Sequence, residues 1–581
     1  MNKRWSITDW TDGKIYGLSN QNNEWYVLDV TDDEAVFSGI SYCWFIPNDR
    51  TMPSICFQTE GDIRMISDGN EIVLEFSDEY VEKTFTTARP YCDIKGNQFL
   101  LDIENGEQLM KTLACFYWDT ILPSVIEKTK GENYPDWNGY VVSTLEGKYA
   151  GTYPDVDHEF QCKGRLALSG DFELDVVRRM IELQFRMMEE DPVQLWRNPC
   201  AIQPDGTREY HVRRNSMDGT QNAEMFLVTG NIEVIESTWL YVARTKSFDW
   251  LESNIEKLEG AMSLIEHLMD TQGRLWSDVF YEDQVIKDGM EAMSASMAVN
   301  SFKLLADLEK KLNRLDKVEK YTKLAETLQA TLIQEPPFGF WDEKNQRFID
   351  WIDRNGEKHD HIHLLANILP VLFKQSNSQQ SEAVDQLIHR YLSEFQRFPS
   401  FISAKIEDYR DDEIGDGGPY DLCAAGRYWC WDAAYWSDKG NGKMLLNQLS
   451  MVSEQAEIDD YIMGERYDMN HIYYLDDKNW HGAGHYYEYP NVFSWVLIQE
   501  YLGIKYDLNF DMILKPQLQS YGKVMLPTHE IGYEYQEGKL VVTNLGRTSK
   551  YVFIDLSVLT GYPKEVEIRI EANASEEIVW S

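Results

Sequence analysis

The spacing of hydrophobic residues changes twice along this chain of 581 residues, and these changes constrain its fold more than any other feature. Up to about residue 105, hydrophobic and polar residues alternate, as in Trp25-Tyr-Val-Leu-Asp-Val30 and Glu71-Ile-Val-Leu-Glu-Phe76. A period of two residues is typical of β-strands with one buried face. From Phe172 to about Gly503 the period is 3.6 residues, which is typical of amphipathic helices. After Gly503 the alternation returns.

These changes predict three folded parts and a chain that is mainly α with β. Residues 1–105 are expected to form an N-terminal antiparallel β-sandwich, residues 171–504 a helical domain, and residues 505–581 a small C-terminal β-domain. Residues 106–170 mix a short helical segment with loops that contain Pro and Gly, and we interpret them as a linker.

The middle of the chain contains ten predicted helices, near residues 172–190, 221–245, 249–270, 290–311, 315–334, 360–374, 380–396, 421–437, 441–456 and 490–503. They come in pairs, and long loops rich in Trp, Asp, Gly and Tyr follow alternate helices. Short connections on one side and long ones on the other predict a barrel of helical hairpins with its functional residues at one face.

Charge and cysteine content exclude several classes of partner. The chain has 55 Lys and Arg against 97 Asp and Glu, a net charge of −42, which repels nucleic acids and anionic lipid surfaces.

The N-terminus does not resemble a secretory signal and no apolar stretch would span a bilayer, so we expect a cytoplasmic protein. The eight cysteines form no C-x-x-C pair and are expected to be buried thiols. No sequence signal indicates an oligomeric state.

Aromatic residues are unusually numerous, with 18 Trp, 33 Tyr and 24 Phe. Flat rings beside carboxylates suit a neutral, polyhydroxylated ligand, because the ring stacks on a sugar face and the carboxylate accepts its hydroxyl groups. We therefore expect a pocket lined by several of Trp276, Trp341, Trp351, Trp429, Trp431 and Trp480, with Asp278 and Asp353 as hydrogen-bond acceptors. Some of these tryptophans are expected to belong to the core.

The first carboxylate segment runs from Arg213 to Asn231. Asp218 followed by Gln221 is a capping-box pattern, which predicts the start of a helix and allows Asp218 to be only its N-cap. Glu224 would then lie on the first turn beside apolar residues, where loss of water raises a carboxyl pKa and favours a proton donor. A first-turn Glu also suits the helix dipole without any catalytic part. Arg213 offers a cation for an anionic substrate group.

The second carboxylate segment contains Glu465 in a loop rich in aromatic and polar residues. Trp480, His485 and Glu488 follow it ahead of the last predicted helix, and we expect them to contact substrate. We expect Glu465 to face a pocket, although a structural pair with Arg466 is also compatible with the sequence. Two carboxylates that flank a glycosidic bond, one as acid and one as base or nucleophile, are the minimum for its hydrolysis. Glu224 and Glu465 are the candidates for these functions.

Three histidines at alternate positions occur in His359-Asp-His-Ile-His363. They lack a cysteine partner and obvious groups that would hydrogen-bond to metal-bound imidazoles. We therefore interpret them as part of a polar loop that enters a helix, and predict no metal site. The sequence has no phosphate-binding glycine loop, no G-x-S-x-G and no dinucleotide fingerprint, and we expect no cofactor.

Four motifs, spread over residues 170–530, resemble those of six-hairpin glycoside hydrolases, and most closely the α-L-rhamnosidase family. They are the acidic segment with Asp218, Glu224 and Gly230-Asn231, the segment Gly464-Glu-Arg-Tyr467, the His-Tyr stretch Gly484-His-Tyr-Tyr487, and Lys515-Pro-Gln-Leu518. In the family these segments hold the acid, the base (as Trp-Glu-Arg-Trp), the approach to the last helix and the start of a β-domain.

The resemblance implies an (α/α)6 barrel flanked by the two β-domains, with Glu224 as general acid and Glu465 as general base. It implies an exo-acting, inverting glycoside hydrolase that cleaves a terminal sugar, rhamnoside-like or related, from an oligosaccharide or glycoside. The chain departs from the family at Asn222, Ala223, Asn231 and Gly464, where the family has Arg, Asp, Asp and Trp, so the fold and the chemistry carry over better than the substrate. A phosphorylase or lyase on the same barrel and a non-catalytic carbohydrate-binding protein are the alternatives.

Overall fold

The computed structural model describes residues 3–8, 12–29, 34–67, 71–127, 141–146, 156–202, 207–213, 224–226, 228–276, 285, 287, 289–414, 419–469, 472–473 and 480–580. For residues 156, 209, 211–213, 224–226 and 420 only the backbone is described. The chain is 41% helix and 25% strand, which confirms the predicted mixture of α and β. Within the described ranges, all the helices are too short or too polar to cross a membrane.

Two antiparallel sheets form the N-terminal part. In spatial order one contains Lys3–Thr8, Glu71–Phe76, Ile63–Ser67 and Glu34–Phe37, and the other Trp25–Asp29, Gly13–Ser19, Ile40–Pro47, Ser54–Gln58 and Val81–Phe85. Their facing apolar side chains, including Ile15, Phe45, Phe57 and Leu74, form a core of their own. Strands Lys3–Thr8 and Ile63–Ser67 alternate in burial, whereas Gly13–Ser19 and Ile40–Pro47 are buried along most of their length because their other face packs against the large core.

The C-terminal part also consists of two sheets. One contains Leu100–Asp102, Gly522–Leu526, Ile531–Gln536, Lys539–Asn544 and Ser575–Val579, and the other Ile504–Lys505, Met512–Leu514, Lys550–Asp555 and Glu565–Ile570. The strand Leu100–Asp102 belongs to the first of these sheets, where Leu101 pairs with Val524, and not to the N-terminal sandwich as the sequence suggested. Alternation predicts a strand but carries no information about its partner.

Each of the ten predicted helices is present, and among the described residues two further long helices, Gly106–Phe116 and Val156–Leu168, accompany them. Among the described residues, six helices form an inner set: Val156–Leu168, Thr229–Thr245, Ala292–Lys311, Leu364–Leu372, Gly426–Asp438 and Glu488–Trp495, the last continuing as a π-helix to Tyr501. Six form an outer set: Gly106–Phe116, Asp171–Glu189, Phe248–Leu268, Leu315–Leu332, Ser378–Arg390 and Gly442–Ile458.

The inner helices contact one another in a closed circuit. Each contacts the next along the chain, and Glu488–Trp495 contacts Val156–Leu168, so the last inner helix meets the first. Five outer helices pack against inner helices that precede or follow them along the chain, and Gly106–Phe116 packs against Glu488–Trp495 and Gly442–Ile458. Inner and outer helices alternate along the chain, so the helices occur as hairpins.

The prediction of a linker over residues 106–170 is wrong, because Gly106–Phe116 is an outer helix and Val156–Leu168 an inner helix, and both contact Glu488–Trp495. The helical period cannot be recognised in the sequence of Val156–Leu168, because its charged residues Glu159, Lys163 and Arg165 are buried. They are at most 1% exposed, and each pairs with a charged side chain. Buried charges with partners break the rule that polar residues mark the solvent face.

A charged cluster lies inside the circuit. Lys163 forms ion pairs with Glu159 (2.5 Å) and with Glu236 (3.2 Å) of the neighbouring inner helix. Its Nζ also lies 3.7 Å from the centre of the Trp431 ring, on an inner helix that is not adjacent in the circuit. Side chains from opposite walls therefore meet in the middle, and the centre of the circuit is packed at this depth.

We expect the Glu236→Gln variant to have a flatter dependence of stability on pH than the wild type. Burial and the nearby Glu159 raise the pKa of Glu236 to about 8 although Lys163 opposes the shift. A carboxyl whose pKa is higher in the folded state than in the unfolded state loses its stabilising effect as pH rises from about 4.5 to about 8. Melting temperatures across this range test the prediction, with Glu256→Gln at an exposed position as the control. Equal pH slopes in wild type and Glu236→Gln would contradict it.

The eight cysteines are all buried and unpaired in disulfides, as predicted. The long loops of the helical part lead into the N-termini of the inner helices, and short β-sheets join these loops to one another. One of them pairs Ala424–Ala425 with Arg466–Tyr467 and the latter with Trp480–His481. The segments that contain Glu465 and Trp480 are thereby brought to the end of the circuit where the inner helix Gly426–Asp438 begins.

Candidate functional site

Glu465 lies immediately before the strand Arg466–Tyr467, and its side chain is 13% exposed. Its Oε2 accepts a hydrogen bond from the backbone N–H of Ala483 (2.8 Å), and its own N–H donates to the Ala483 carbonyl (3.0 Å). Its Oε1 lies 3.4 Å from the Arg466 guanidinium. The carboxylate is thus held in one orientation but keeps access to solvent.

Two glycines allow this arrangement. Gly482 has φ +85°, and a Cβ there would lie 2.4 Å from Oε2 of Glu465, so only glycine lets the chain pass the carboxylate. A Cβ on Gly464 would lie 2.2 Å from the Trp480 ring, so this indole packs directly on the backbone that precedes Glu465. Trp480 therefore supplies an aromatic ring beside the position where the resembling family has Trp and this chain has Gly464.

A buried network of arginines and carboxylates lies next to Glu465. Arg466 approaches Glu488 Oε1 (3.4 Å) and Asp421 Oδ1 (3.3 Å). Arg427 donates from Nε to Glu488 Oε1 (2.6 Å) and from its backbone N–H to Oε2 (3.1 Å). Each guanidinium faces at least one carboxylate, and Glu488 joins the two.

Glu488 is the centre of this network. It is fully buried and is the first residue of the last inner helix, where the helix dipole favours a negative charge. Burial alone would raise its pKa, but Arg427 and Arg466 together hold the pKa of the Glu488 carboxyl below its ordinary value. Glu488 is therefore ionised at neutral pH, and its contacts bind it to the arginines. The prediction that it contacts substrate is wrong for this structure.

Asp157 extends the network onto the first inner helix. Its carboxylate accepts hydrogen bonds from Ser143 Oγ and Tyr486 Oη, each at 3.2 Å, and lies 3.9 Å from Arg427. Sequence reasoning missed Asp157, Asp421 and Arg427. Asp157 and Arg427 lie in the first turns of the observed helices Val156–Leu168 and Gly426–Asp438, whose starts the sequence did not predict.

His485 faces a different space. Its Nε2 lies 2.8 Å from the Asp119 carbonyl, and burial lowers the pKa of its imidazole. It lines a cavity of about 530 Å³ between the N-terminal sandwich and the helices, together with Trp25, Arg50 and Trp118. The predicted substrate contact of His485 with the site around Glu465 is therefore not observed.

Most of the predicted aromatic platforms are core residues. Trp351, Trp429, Trp341 and Trp431 are between 0% and 4% exposed, so the prediction that they line an open sugar pocket is wrong for this structure. The indole N–H of Trp341 donates to Glu343 (2.7 Å). The sequence pattern around a Trp ring that is packed on both faces in a core is the same as that around a Trp ring in a pocket, so the sequence does not distinguish the two.

Two of the predicted tryptophans remain partly exposed. Trp276 donates its indole N–H to Asp270 (3.0 Å). Burial would raise the pKa of Asp270, but this hydrogen bond and others lower it to about 2. Trp480 packs beside Glu465, as described above. Asp353 accepts backbone N–H groups from Asn355 and Glu357 (2.9 and 2.7 Å) and so stabilises a turn.

The first carboxylate segment folds differently from the prediction. Glu224 lies in a short strand, Glu224–Phe226, which pairs with His211–Arg213, and the helix begins only at Thr229. The predicted placement of Glu224 on a first helical turn is therefore wrong; backbone pairing with the preceding segment replaces the helix. Asp218, Asp278 and the side chains of Arg213 and Glu224 lie outside the described residues.

Asn231, which stands where the family has Asp, serves packing. It is fully buried, accepts from the backbone N–H of Asn198 (2.9 Å) and donates to the carbonyls of Trp196 (2.7 Å) and Ala261 (3.1 Å). An amide can donate and accept at once, which an ionised carboxylate cannot. The departure at Asn231 is thus explained by three contacts within the helical part.

Neither a protein-family model nor a curated protein matches the sequence. Among solved structures, the chain is similar to the GH78 family rhamnosidase of Bacillus sp. GL1, with 10% identity and a TM-score of 0.51 over 93% of this chain and 49% of that one. It is also similar to the native α-L-rhamnosidase from Aspergillus terreus, with 11% identity and a TM-score of 0.50 over 99% and 60%. The chain spans about half the length of the Bacillus enzyme.

The predicted resemblance to six-hairpin glycoside hydrolases, rhamnosidases in particular, is confirmed by these matches. At identities this low the similarity concerns the fold.

Proposed function

We propose that this protein is a glycoside hydrolase built on an (α/α)6 barrel, whose inner wall is the closed circuit of six helices. The observation that carries the proposal is the placement of Glu465, which lies partly exposed and oriented by Ala483 and Arg466 beside the Trp480 ring. The fold shared with two rhamnosidases supports it. The barrel then comprises residues 106–504, with the sandwich before it and the C-terminal β-domain after it.

In the proposed reaction Glu465 is the general base. A hydrogen bond from a backbone N–H and a nearby guanidinium stabilise the ionised form of a carboxylate, which a base needs before it accepts a proton from water. Glu224 is the proposed general acid, which protonates the leaving oxygen. A separation of about 6.5–9.5 Å between the two carboxyl groups would leave room for the attacking water and give inversion.

The proposed substrate is a terminal, neutral sugar of an oligosaccharide or glycoside. Trp480 offers a flat ring next to the base, which suits stacking on a sugar ring. In the described part of the chain, the arginines nearest to Glu465 already face Glu488 and Asp421, which disfavours a phosphate or uronate at this position. Rhamnosides and related 6-deoxy sugars are the first candidates, from the fold alone.

A screen of chromogenic glycosides, with and without phosphate, followed by NMR of the first-formed product, tests the proposal. Release of a free sugar of inverted anomeric configuration is the expected result. A retained configuration would refute inversion, a sugar phosphate would indicate a phosphorylase, and an unsaturated uronide a lyase. Saccharide binding without any turnover would instead indicate a carbohydrate-binding protein.

Replacing Gly482 with alanine is expected to lower kcat by about 10-fold to 100-fold, because the new methyl group would displace the Glu465 carboxylate. Gly356 provides the matched control: it has a similar φ of +83°, but a Cβ there would meet nothing within 4 Å. Gly356→Ala introduces the same backbone strain without the clash and should leave kcat unchanged. Equal activity losses in both variants, measured on the same substrate, would contradict the prediction.

A further inference from the structure

Three buried side chains converge in a second polar cluster, which shares no residue with the network around Glu465. His359 and His361 precede the inner helix Leu364–Leu372, and Glu413 comes from the loop that follows residue 406. They are 7%, 6% and 3% exposed. His359 Nδ1 lies 2.5 Å from Glu413 Oε1, and His361 Nε2 lies 3.2 Å from Glu413 Oε2. One potential ligand atom from each residue lies within 4.8 Å of the other two.

The backbone directs both imidazoles to the same side. His359 ends the short strand Lys358–His359, and on an extended chain residues two apart face the same direction. Aromatic stacking then fixes the rings, His359 on Trp351 (centroids 4.1 Å apart, 8° between planes) and His361 on Tyr409 (3.6 Å, 10°). The two nitrogens near Glu413 are therefore pre-positioned, which lowers the entropic cost of binding a shared ligand.

The cluster also has unused capacity for bonding. Among the described residues, Nε2 of His361 finds no hydrogen-bond partner of good geometry although it lies close to Glu413, and Nε2 of His359 finds none at all. Leaving such nitrogens buried without partners costs free energy. Carboxylates of Asp353 and Glu357 lie within 4.8 Å of a ring nitrogen of His359.

We propose that His359, His361 and Glu413 form a binding site for a divalent transition metal ion of the Zn²⁺ type. Two imidazoles and one carboxylate are a common ligand set for Zn²⁺, with a fourth position left for water or another group. Asp353 and Glu357 would then act as outer carboxylates that orient the His359 ring, as acidic groups do behind metal-bound histidines.

The charge of the cluster is compatible with a cation. The Glu413 carboxylate lies against both imidazoles, and its Oε2 accepts a hydrogen bond from the Arg410 backbone N–H (2.7 Å). The Arg410 guanidinium lies 3.5 Å from Glu413 Oε1 and competes with a metal ion. That side chain is 46% exposed and also pairs with Glu357 and Asp412, so it can be displaced.

The metal would connect the loop that leads into the inner helix Leu364–Leu372 with the loop around Glu413, at the end of the helical circuit where Glu465 lies. Its proposed effect is structural. The histidine spacing alone did not predict the site because the third ligand, Glu413, is remote in sequence.

The test is a titration of the full-length protein, first treated with a chelator, with Co²⁺, whose visible ligand-field absorption reports nitrogen and oxygen coordination. We expect one equivalent to bind and Zn²⁺ to displace it. His361→Ala and Glu413→Gln should weaken binding by at least about 10-fold to 100-fold, whereas His389→Ala, at an exposed histidine, should not.

Circular dichroism of each variant shows whether it is folded. The titration of the wild type tests the proposal even if a variant does not fold. Weak Co²⁺ absorption in the wild type, or equal binding by wild type, His361→Ala and Glu413→Gln, would overturn the proposal and leave a hydrogen-bonded His-Glu-His cluster. Because the readout is metal binding, its failure would not bear on glycosidase activity.

Discussion

Replacing Glu488 with glutamine is expected to destabilise the protein by about 3–5 kcal/mol, the usual cost of removing one partner from a buried ion pair. The glutamine has the shape of the native side chain but leaves the buried guanidiniums of Arg427 and Arg466 without their shared carboxylate. Arg427 would keep a more distant carboxylate, Asp157 at 3.9 Å, and Arg466 would keep Asp421 at 3.3 Å and Glu465 at 3.4 Å. Urea denaturation followed by tryptophan fluorescence measures the loss.

The control for this variant is Glu266→Gln, which removes an ion pair with Lys320 where both side chains are about 40% exposed. An exposed pair contributes about 0–1 kcal/mol, so the control should be nearly neutral. If Glu488→Gln were as mild as the control, the network would not stabilise the end of the helical circuit as its geometry indicates.

Replacing Glu465 with glutamine is expected to lower kcat by about 10²-fold to 10⁴-fold, the usual contribution of a general base. The amide oxygen of glutamine can still accept the hydrogen bond from Ala483, so the loop should keep its conformation, but an amide cannot take a proton from water. Steady-state kinetics on a glycoside cleaved by the wild type measures the effect, and the melting temperature should change little.

Glu252→Gln, at an exposed position on an outer helix, is the matched control and should retain full activity. Near-normal turnover by Glu465→Gln would remove this residue from the reaction while leaving the Glu488 prediction untouched. The two variants therefore separate chemistry from stability within one network: Glu465 contacts solvent, whereas Glu488 does not.

The sequence by itself determined the order of the β-rich and helical parts and the presence of ten helices, because hydrophobic periodicity reflects which side of an element faces a core. It also placed Glu465, Arg466 and Trp480 in one segment, and the strand pairing of Tyr467 with Trp480 brings that segment together. Local hydrophobic period and short-range spacing are sufficient for such features.

Only the tertiary structure decided which polar residues are buried with partners and which aromatic residues are exposed. Lys163 is buried between Glu159 of its own helix and Glu236 of the neighbouring one, so the inner helix Val156–Leu168 lacks the solvent-exposed polar face that would have revealed it. Glu488 meets Arg427 across 61 positions of the chain, which no local pattern records. The physical reason is the same in each case: the free energy of a buried charge depends on the partner brought to it by the fold, whereas hydrophobic periodicity depends only on which side of an element faces water.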